Sequence, residues 1–172
     1  MYIDYDAADA IATITINRPE AANAQNPELL DELDAAWTRA AEDADVKVIV
    51  LRANGKHFSA GHDLRGGGPV PDTISREFII EHEARRYLEY TLRWRNVPKP
   101  SIAAVQGRCI SGGLLLCWPC DLILAADDAL FSDPVALMGI GGVEYHGHTW
   151  ELGPRKAKEI LFTGRALTAE EA

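Results

Sequence analysis

The sequence predicts an α/β fold, and three observations carry that prediction. β-Branched and apolar runs of strand length recur along the chain. Amphipathic stretches of helical length separate several of them. The resulting strand-then-helix order favours a largely parallel sheet flanked by helices. In chain order, Tyr2 to Tyr5 and Ile11 to Ile16 read as two strands joined through a turn at Ala7–Asp9. Asn17-Arg18-Pro19 breaks that pattern. Asn26 and Pro27 then form a helix start, a capping side chain followed by proline at the first helical position. Leu30, Leu33, Trp37, Ala40 and Ala44 follow at helical spacing, with Glu28, Asp31, Glu32 and Arg39 on the other face. Val46 to Leu51 is a buried-strand run, ended by Asn54-Gly55.

Residues 53–73, with Gly66, Gly67, Gly68, Pro69 and Pro71 close together, predict a long loop. Ile74 to Arg95 predicts a charged amphipathic helix, stopped before Pro98 and Pro100. Ser101 to Val105 is a short strand, Leu114 to Trp118 a short helix ended by Pro119, and Asp121 to Ala126 another strand. Ala129 to Phe131 predicts a further short strand, Gly139 to Gly147 a loop, and Pro154 to Phe162 a helix with Gly164 as terminator. Thr168-Ala169-Glu170-Glu171 is a capping-box pattern, which opens a helix. The chain stops one residue later, so a longer parent protein is expected.

Composition excludes several classes. Seventeen Lys and Arg against 26 Asp and Glu give a net charge of -9, the wrong sign for a phosphate-binding surface. The longest apolar stretch, Ile110 to Leu116, is far short of the roughly 20 residues that span a bilayer. The first ten residues carry neither a basic start nor an apolar core, so no secretion signal is read and a cytoplasmic location is expected. An odd count of three cysteines does not suggest a disulfide framework. At 172 residues, 47% of them apolar, the chain fits one domain with an ordinary core.

The short motifs are weighed by their chemistry. Cys117-Trp118-Pro119-Cys120 has redox or zinc spacing, but it sits inside LLLCWPCDLILA, which favours buried structural thiols; Cys109 reads the same way. His57 and His62-Asp63 lack a third ligand at matching spacing, so no metal is expected. The triple glycine lacks the Lys-Ser/Thr of a phosphate loop, and neither Ser59 nor Ser111 lies in a G-x-S-x-G elbow. Phe58-Ser59-Ala60-Gly61-His62-Asp63-Leu64 and Gln106 to Gly113 are more suggestive. Each places small residues after a strand, where bare N–H groups can face a ligand, and Gly112 opens a helix. Two such N–H groups converging from separate loops could stabilise an oxyanion. Tight packing of glycine is the competing explanation.

Taken in order, IATITINRP, EAANAQN, VKVIVLRANGKHFSAGHDL, VPKPSIAAVQGRCISGG, CDLILAADDALFSDP and ELGPRKAKEILFTGRALTAEEA resemble the crotonase superfamily, the enoyl-CoA hydratase/isomerase family. That resemblance implies a spiral of ββα units in a single domain over residues 1–172, without the family's C-terminal helical segment. It also implies a site for acyl-CoA thioesters, coenzyme A being part of the substrate and no separate cofactor being needed. Homotrimers or hexamers follow if the C-terminal segment is present. Carried over by position, the backbone N–H groups of Ala60 and Gly112 correspond to the oxyanion hole. Ala22, Ala24, His62, Asp63, Leu64 and Pro134 fall on substrate-binding segments.

One departure from the family pattern bears on chemistry. Two glutamates hold and activate water in hydratases of this family, and their positions here carry Leu115 and Val135. Neither aliphatic side chain can act as a general base, so ordinary hydration is expected to be crippled. Glu144 lies near where some isomerases of the superfamily place a catalytic carboxylate, with His146 and His148 beside it; Asp133 and Asp63 are lesser candidates. The expectation is therefore an acyl-CoA enzyme working through a thioester enolate, with isomerase-like proton transfer by Glu144, in fatty acid metabolism. The rival is a non-catalytic acyl-CoA-binding protein, and a third reading is an assembly-defective remnant.

Overall fold

The computed structural model describes residues 1–65, 75–139 and 144–172. Strands β1 (Ile3–Ala8) and β2 (Ile11–Ile16) pair antiparallel, with Ile3 opposite Ile16 and Ala8 opposite Ile11. The turn is therefore Asp9–Ala10, both at positive φ, rather than the expected Ala7–Asp9. Two left-handed residues match the right-handed strand twist, which is why the hairpin closes in two residues and β1 runs longer than expected. A 3-10 turn (Pro19–Ala21) leads to helix α1 (Pro27–Glu42), where Asn26 accepts the Leu29 N–H at 2.9 Å as its cap. Leu29, Leu30, Leu33, Ala36, Trp37 and Ala40 form its buried stripe.

Strands β3 (Val48–Ala53), β4 (Ser101–Val105) and β6 (Leu122–Ala125) extend the first sheet in parallel, in the order β1-β2-β3-β4-β6. Parallel neighbours need long crossovers; α1 supplies that from β2 to β3 and the next helical run that from β3 to β4. That run comprises α2 (Arg76–Glu83), a π-helical stretch (Ala84–Glu89) and α3 (Tyr90–Arg95). Trp94 of α3 stacks on Trp37 of α1 with 6.1 Å between centroids, joining the two helices.

A second sheet, β5 (Arg108–Ile110), β7 (Leu130–Ser132) and β8 (Leu167–Thr168), stands apart from the first. Of these, β5 and β8 were not expected from the sequence. Each is so short that apolar periodicity gives no signal, and each depends on pairing with β7. Between β5 and β6, a 3-10 turn (Ser111–Gly113) runs into the four-residue helix α4 (Leu114–Cys117). Helix α5 (His148–Thr163) starts earlier than expected but breaks at Gly153 (φ 71°, ψ 160°) ahead of Pro154, so the expected Pro154–Phe162 helix is its second half. Gly164 ends it in the left-handed conformation. The Thr168–Glu171 box forms reciprocally, the Thr168 N–H donating to Glu171 Oε2 (3.1 Å) and the Glu171 N–H to Thr168 Oγ1 (3.3 Å). The triple glycine and prolines of residues 66–73, the expected helix start at Ile74 and part of the Gly139–Gly147 loop lie outside the described residues. No helix among the described residues is long and apolar enough to cross a membrane.

Candidate active site

The site is built where three chain segments meet beyond the ends of β2, β3 and β5. The first, residues 18–26, is tied down by Asn23, which is fully buried. Its side-chain amide donates to the carbonyls of Asn54 (2.9 Å) and His57 (2.8 Å), and its Oδ1 accepts the Arg18 N–H (2.9 Å). Ala22 and Asn23 take positive φ to make this turn. Arg18 in turn donates to the Ala24 carbonyl (2.8 Å) and to Asp63 Oδ2 (2.7 Å). That guanidinium holds the Asp63 carboxyl below the usual carboxylate range, against a smaller upward push from burial.

The second segment, Ser59 to Asp63, lies alongside the first as a parallel bridge of Gln25 with His62. The Gln25 N–H donates to the Gly61 carbonyl (2.8 Å) and the Asp63 N–H to the Gln25 carbonyl (2.9 Å). Because extended backbone alternates, the His62 N–H lies between these bonds and points away from them. The Ala60 N–H is engaged, donating to the Ala22 carbonyl at 3.0 Å. That bond occupies the hydrogen of Ala60, the residue expected to be an oxyanion donor, while the His62 N–H, two residues on, has no acceptor among the described residues. Sequence position alone could not separate the two, since both flank Gly61.

The third segment contributes Gly112. Its N–H has no acceptor among the described residues, as befits the first turn of a helix. Gly61 and Gly112 are packed against one another. A Cβ on Gly61, which has φ +81°, would stand 2.7 Å from the Ile110 carbonyl and 3.2 Å from Gly112 N. A Cβ on Gly112 would stand 2.5 Å from Gln25 Oε1 and 3.1 Å from His62 Nδ1. Only glycine lets the two loops approach this closely, so both glycines are where they are for contact. Ser59 braces the junction: its hydroxyl donates to the Asn23 carbonyl (2.8 Å) and receives the Gln25 amide (3.1 Å) and the Gly61 N–H (3.2 Å).

Behind Gly112 lies a buried polar chain. Ser111, at φ 46°, donates its hydroxyl to Asp133 Oδ1 (3.0 Å), which also accepts the Val135 N–H (3.3 Å). Asp133 Oδ2 lies 2.8 Å from His148 Nε2. Burial pushes the Asp133 carboxyl up, but His148, Ser111 and the Val135 amide outweigh it and hold it below the ordinary range. Ser111 and His148 each bond Asp133 rather than one another, so the arrangement lacks the serine–histidine contact of a nucleophilic triad.

The carboxylates in front were only half expected. His62 Nε2 lies 3.2 Å from Glu83 Oε2, and the His62 ring stacks on Tyr87 with 3.8 Å between centroids. Glu144 completes the group: one nitrogen or oxygen from each of His62, Glu83 and Glu144 falls within 4.8 Å of the others. The Tyr145 N–H donates to the Tyr87 carbonyl (2.9 Å), anchoring Glu144 beside the π-helical stretch. Burial raises the Glu144 carboxyl above the usual range, and the nearby Glu83 adds to the shift while His62 opposes it. Glu83 and Tyr87 carry no motif, and only the fold brings them to residue 62. Of the other expected residues, Ala22, Ala24, His62 and Asp63 are brought together on the first two segments. Leu64 follows Asp63 and is exposed, while Pro134 joins the site through its neighbour Asp133.

Leu115 is buried in the core on α4 and Val135 is half-buried on a 3-10 turn, so neither position offers an ionisable group. The three cysteines are free and buried, as expected, with Cys109 and Cys117 sulfurs 3.9 Å apart. The Cys117 thiol is pushed up by its contact with Cys109 and by burial, and Cys120 by burial. Neither suits thiolate chemistry.

Comparison with known proteins gives a consistent result. The family model described as enoyl-CoA hydratase/isomerase matches residues 6–172. EchA13 of Mycobacterium tuberculosis, provisionally named an enoyl-CoA hydratase, is 45% identical over 99% of this chain and 60% of its own length. A crystal structure of a probable enoyl-CoA hydratase from Mycobacterium smegmatis is 88% identical with a TM-score of 0.91, covering 99% of this chain and 67% of that one. A Legionella pneumophila protein, provisionally described as an enoyl-CoA hydratase/isomerase (crotonase), is 31% identical with a TM-score of 0.91, over 99% of this chain and 66% of that one. The chain thus spans about 60% of the curated relative and about two thirds of these structures. The α/β fold expected of the crotonase superfamily is the fold these neighbours share.

Proposed function

The chain belongs to the enoyl-CoA hydratase/isomerase family, and from that premise we propose that it binds an acyl-CoA thioester and stabilises the thioester enolate. The observation that carries this reading is the pair of N–H groups without an acceptor among the described residues, at His62 and Gly112, on two loops locked together at Gly61. Donors of this kind act on the charge that develops on a carbonyl oxygen, and removing one costs about 2.7–4 kcal/mol of transition-state stabilisation in a serine protease. Ala22, Ala24, Asp63, Leu64 and Pro134 then lie along the path of the acyl-CoA.

Glu144 is the proton carrier. Its raised affinity for a proton brings it closer to the pH of the reaction, which favours reversible transfer to carbon. Moving a proton beside an enolate requires one such group, whereas adding water needs a pair to hold and activate it. With Leu115 and Val135 at the two family positions, double-bond isomerisation is favoured over ordinary hydration. The same two aliphatic residues support a second reading, a non-catalytic acyl-CoA-binding protein. An assembly into trimers or hexamers, a cytoplasmic location and a role in fatty acid metabolism accompany the first reading.

Calorimetric titration with an unsaturated acyl-CoA, with free CoA as control, tests binding. Tighter binding of the thioester is expected in the wild type and in Glu144→Gln, with turnover lost in the variant. Equal binding of both ligands would remove the oxyanion hole from the proposal, and unchanged turnover in Glu144→Gln would remove Glu144.

A further inference from the structure

Resting on that enolate reading, we propose that the His62 ring, oriented by Glu83, is a second acid–base group in this site, so that proton removal and proton delivery are divided between Glu144 and His62. His62 occupies a double position. Its backbone N–H is one of the two open donors, and its ring reaches from that same residue between Gly112 and Glu83. Nε2 faces the Glu83 carboxylate at 3.2 Å, a geometry in which a hydrogen on Nε2 meets an acceptor. Nδ1 is left on the Gly112 side, where a Cβ on that glycine would come within 3.1 Å of it. The ring is held flat against Tyr87, itself buried, and the His62 and Glu83 side chains are each about three quarters or more shielded from solvent. A carboxylate beside one nitrogen of a stacked imidazole, with the other on the Gly112 side, is an arrangement suited to moving protons at a bound thioester.

The chemistry balances for a 3-enoyl thioester. The Glu144 carboxylate takes the proton from the α-carbon; that C–H bond breaks, and its electron pair passes into a dienolate whose oxygen lies at the His62 and Gly112 N–H groups. Protonated His62 then gives its Nδ1 proton to the γ-carbon; the new C–H bond forms and the thioester carbonyl is restored with the double bond conjugated. Glu144 ends protonated and His62 neutral, and exchange with water resets both. Glu83 is a positioning residue in this scheme. It holds the ring, and it does so from a helix far from the two family glutamate positions in sequence.

Isotope tracing separates this scheme from transfer by Glu144 alone. A 3-enoyl-CoA is turned over in heavy water, and deuterium at the γ-carbon of the 2-enoyl product is counted by NMR. Divided transfer places close to one solvent deuterium there per turnover, because the delivered proton never belonged to the substrate. His62→Asn keeps the backbone N–H and removes the acid. It and Glu83→Gln are expected to lower turnover by about 10²-fold, with the residual reaction carrying the substrate's own α-proton to the γ-carbon. Direct transfer in the wild type, or Glu83→Gln and His62→Asn with unchanged rate and labelling, would overturn the inference while leaving the enolate reading standing. No turnover and no α-exchange by folded wild type that binds the thioester would instead remove the enolate reading. A stoichiometric metal in the purified protein, lost in Glu83→Gln, would overturn the acid–base role in favour of a metal site.

Discussion

Asp133 and His148 face each other at 2.8 Å in the interior, each about 95% shielded from solvent, and the same carboxylate holds the hydroxyl of Ser111, the residue before Gly112. Ser111 sits at φ 46°, a conformation that costs a non-glycine residue of order 1 kcal/mol or more and persists where its surroundings hold it. The Asp133–His148 contact thus acts at one remove on the direction of the Gly112 N–H group. His148 Nδ1 has no partner among the described residues and the ring meets Trp118 edge-on at 4.7 Å, so the pair depends on Asp133 for its polar satisfaction.

Asp133→Asn is therefore expected to destabilise the fold by roughly 1–3 kcal/mol, the range for leaving buried hydrogen-bonding groups without their partner. Thermal unfolding measures this. The folded carboxyl is held below its unfolded value, so its contribution is fully present above the ordinary aspartate pKa of about 3.9 and is lost as pH falls through the lower folded value. Asp133→Asn should accordingly flatten the loss of stability on acidification below about pH 4. A variant as stable as the wild type would show that Asp133 merely fills space.

Gly112→Ala and Gly61→Ala should fail in different ways. The new methyl at 112 meets Gln25 Oε1 at 2.5 Å, the end of a side chain, so the fold can adjust while the donor is displaced. Turnover is expected to fall by about 10²–10³-fold with a modest change in melting temperature. At 61 the methyl meets the Ile110 carbonyl and Gly112 N, both backbone, and φ is +81°, so a stability loss of about 1–3 kcal/mol is expected. Equal stability losses in both would contradict this distinction.

The cysteines should be inert in the folded protein. All three are buried, and the thiols of Cys117 and Cys120 are raised. Iodoacetamide at neutral pH is expected to modify none of them until denaturant is added, and all three thereafter, as counted by mass. Rapid labelling of native Cys117 or Cys120 would reopen a redox role.

How much of this was legible follows from the physics of each element. The Ile11–Ile16 strand and the Asn26-Pro27 helix start were readable because β-branching and capping are local properties. The spiral was legible through the ordered family motifs. Strand β5 was not, because Arg108–Ile110 is extended only through pairing with β7 and the Ser59 bridge. On the Ser59–Asp63 loop, which N–H is bonded and which lacks an acceptor among the described residues depends on the hydrogen-bond phase, which repeats every two residues and leaves no mark in composition. Glu144 was singled out by position, whereas Glu83 was not, since it meets His62 from 21 residues away.

The most direct test of the enolate reading is exchange of the α-protons of a bound acyl-CoA in heavy water, followed by proton NMR against a sample without protein. Catalysed loss of the α-proton signal is expected, abolished by Glu144→Gln although the thioester still binds. Tight binding by the wild type with α-protons exchanging no faster than in buffer would contradict it, and would leave a binding protein that holds the thioester without moving its protons.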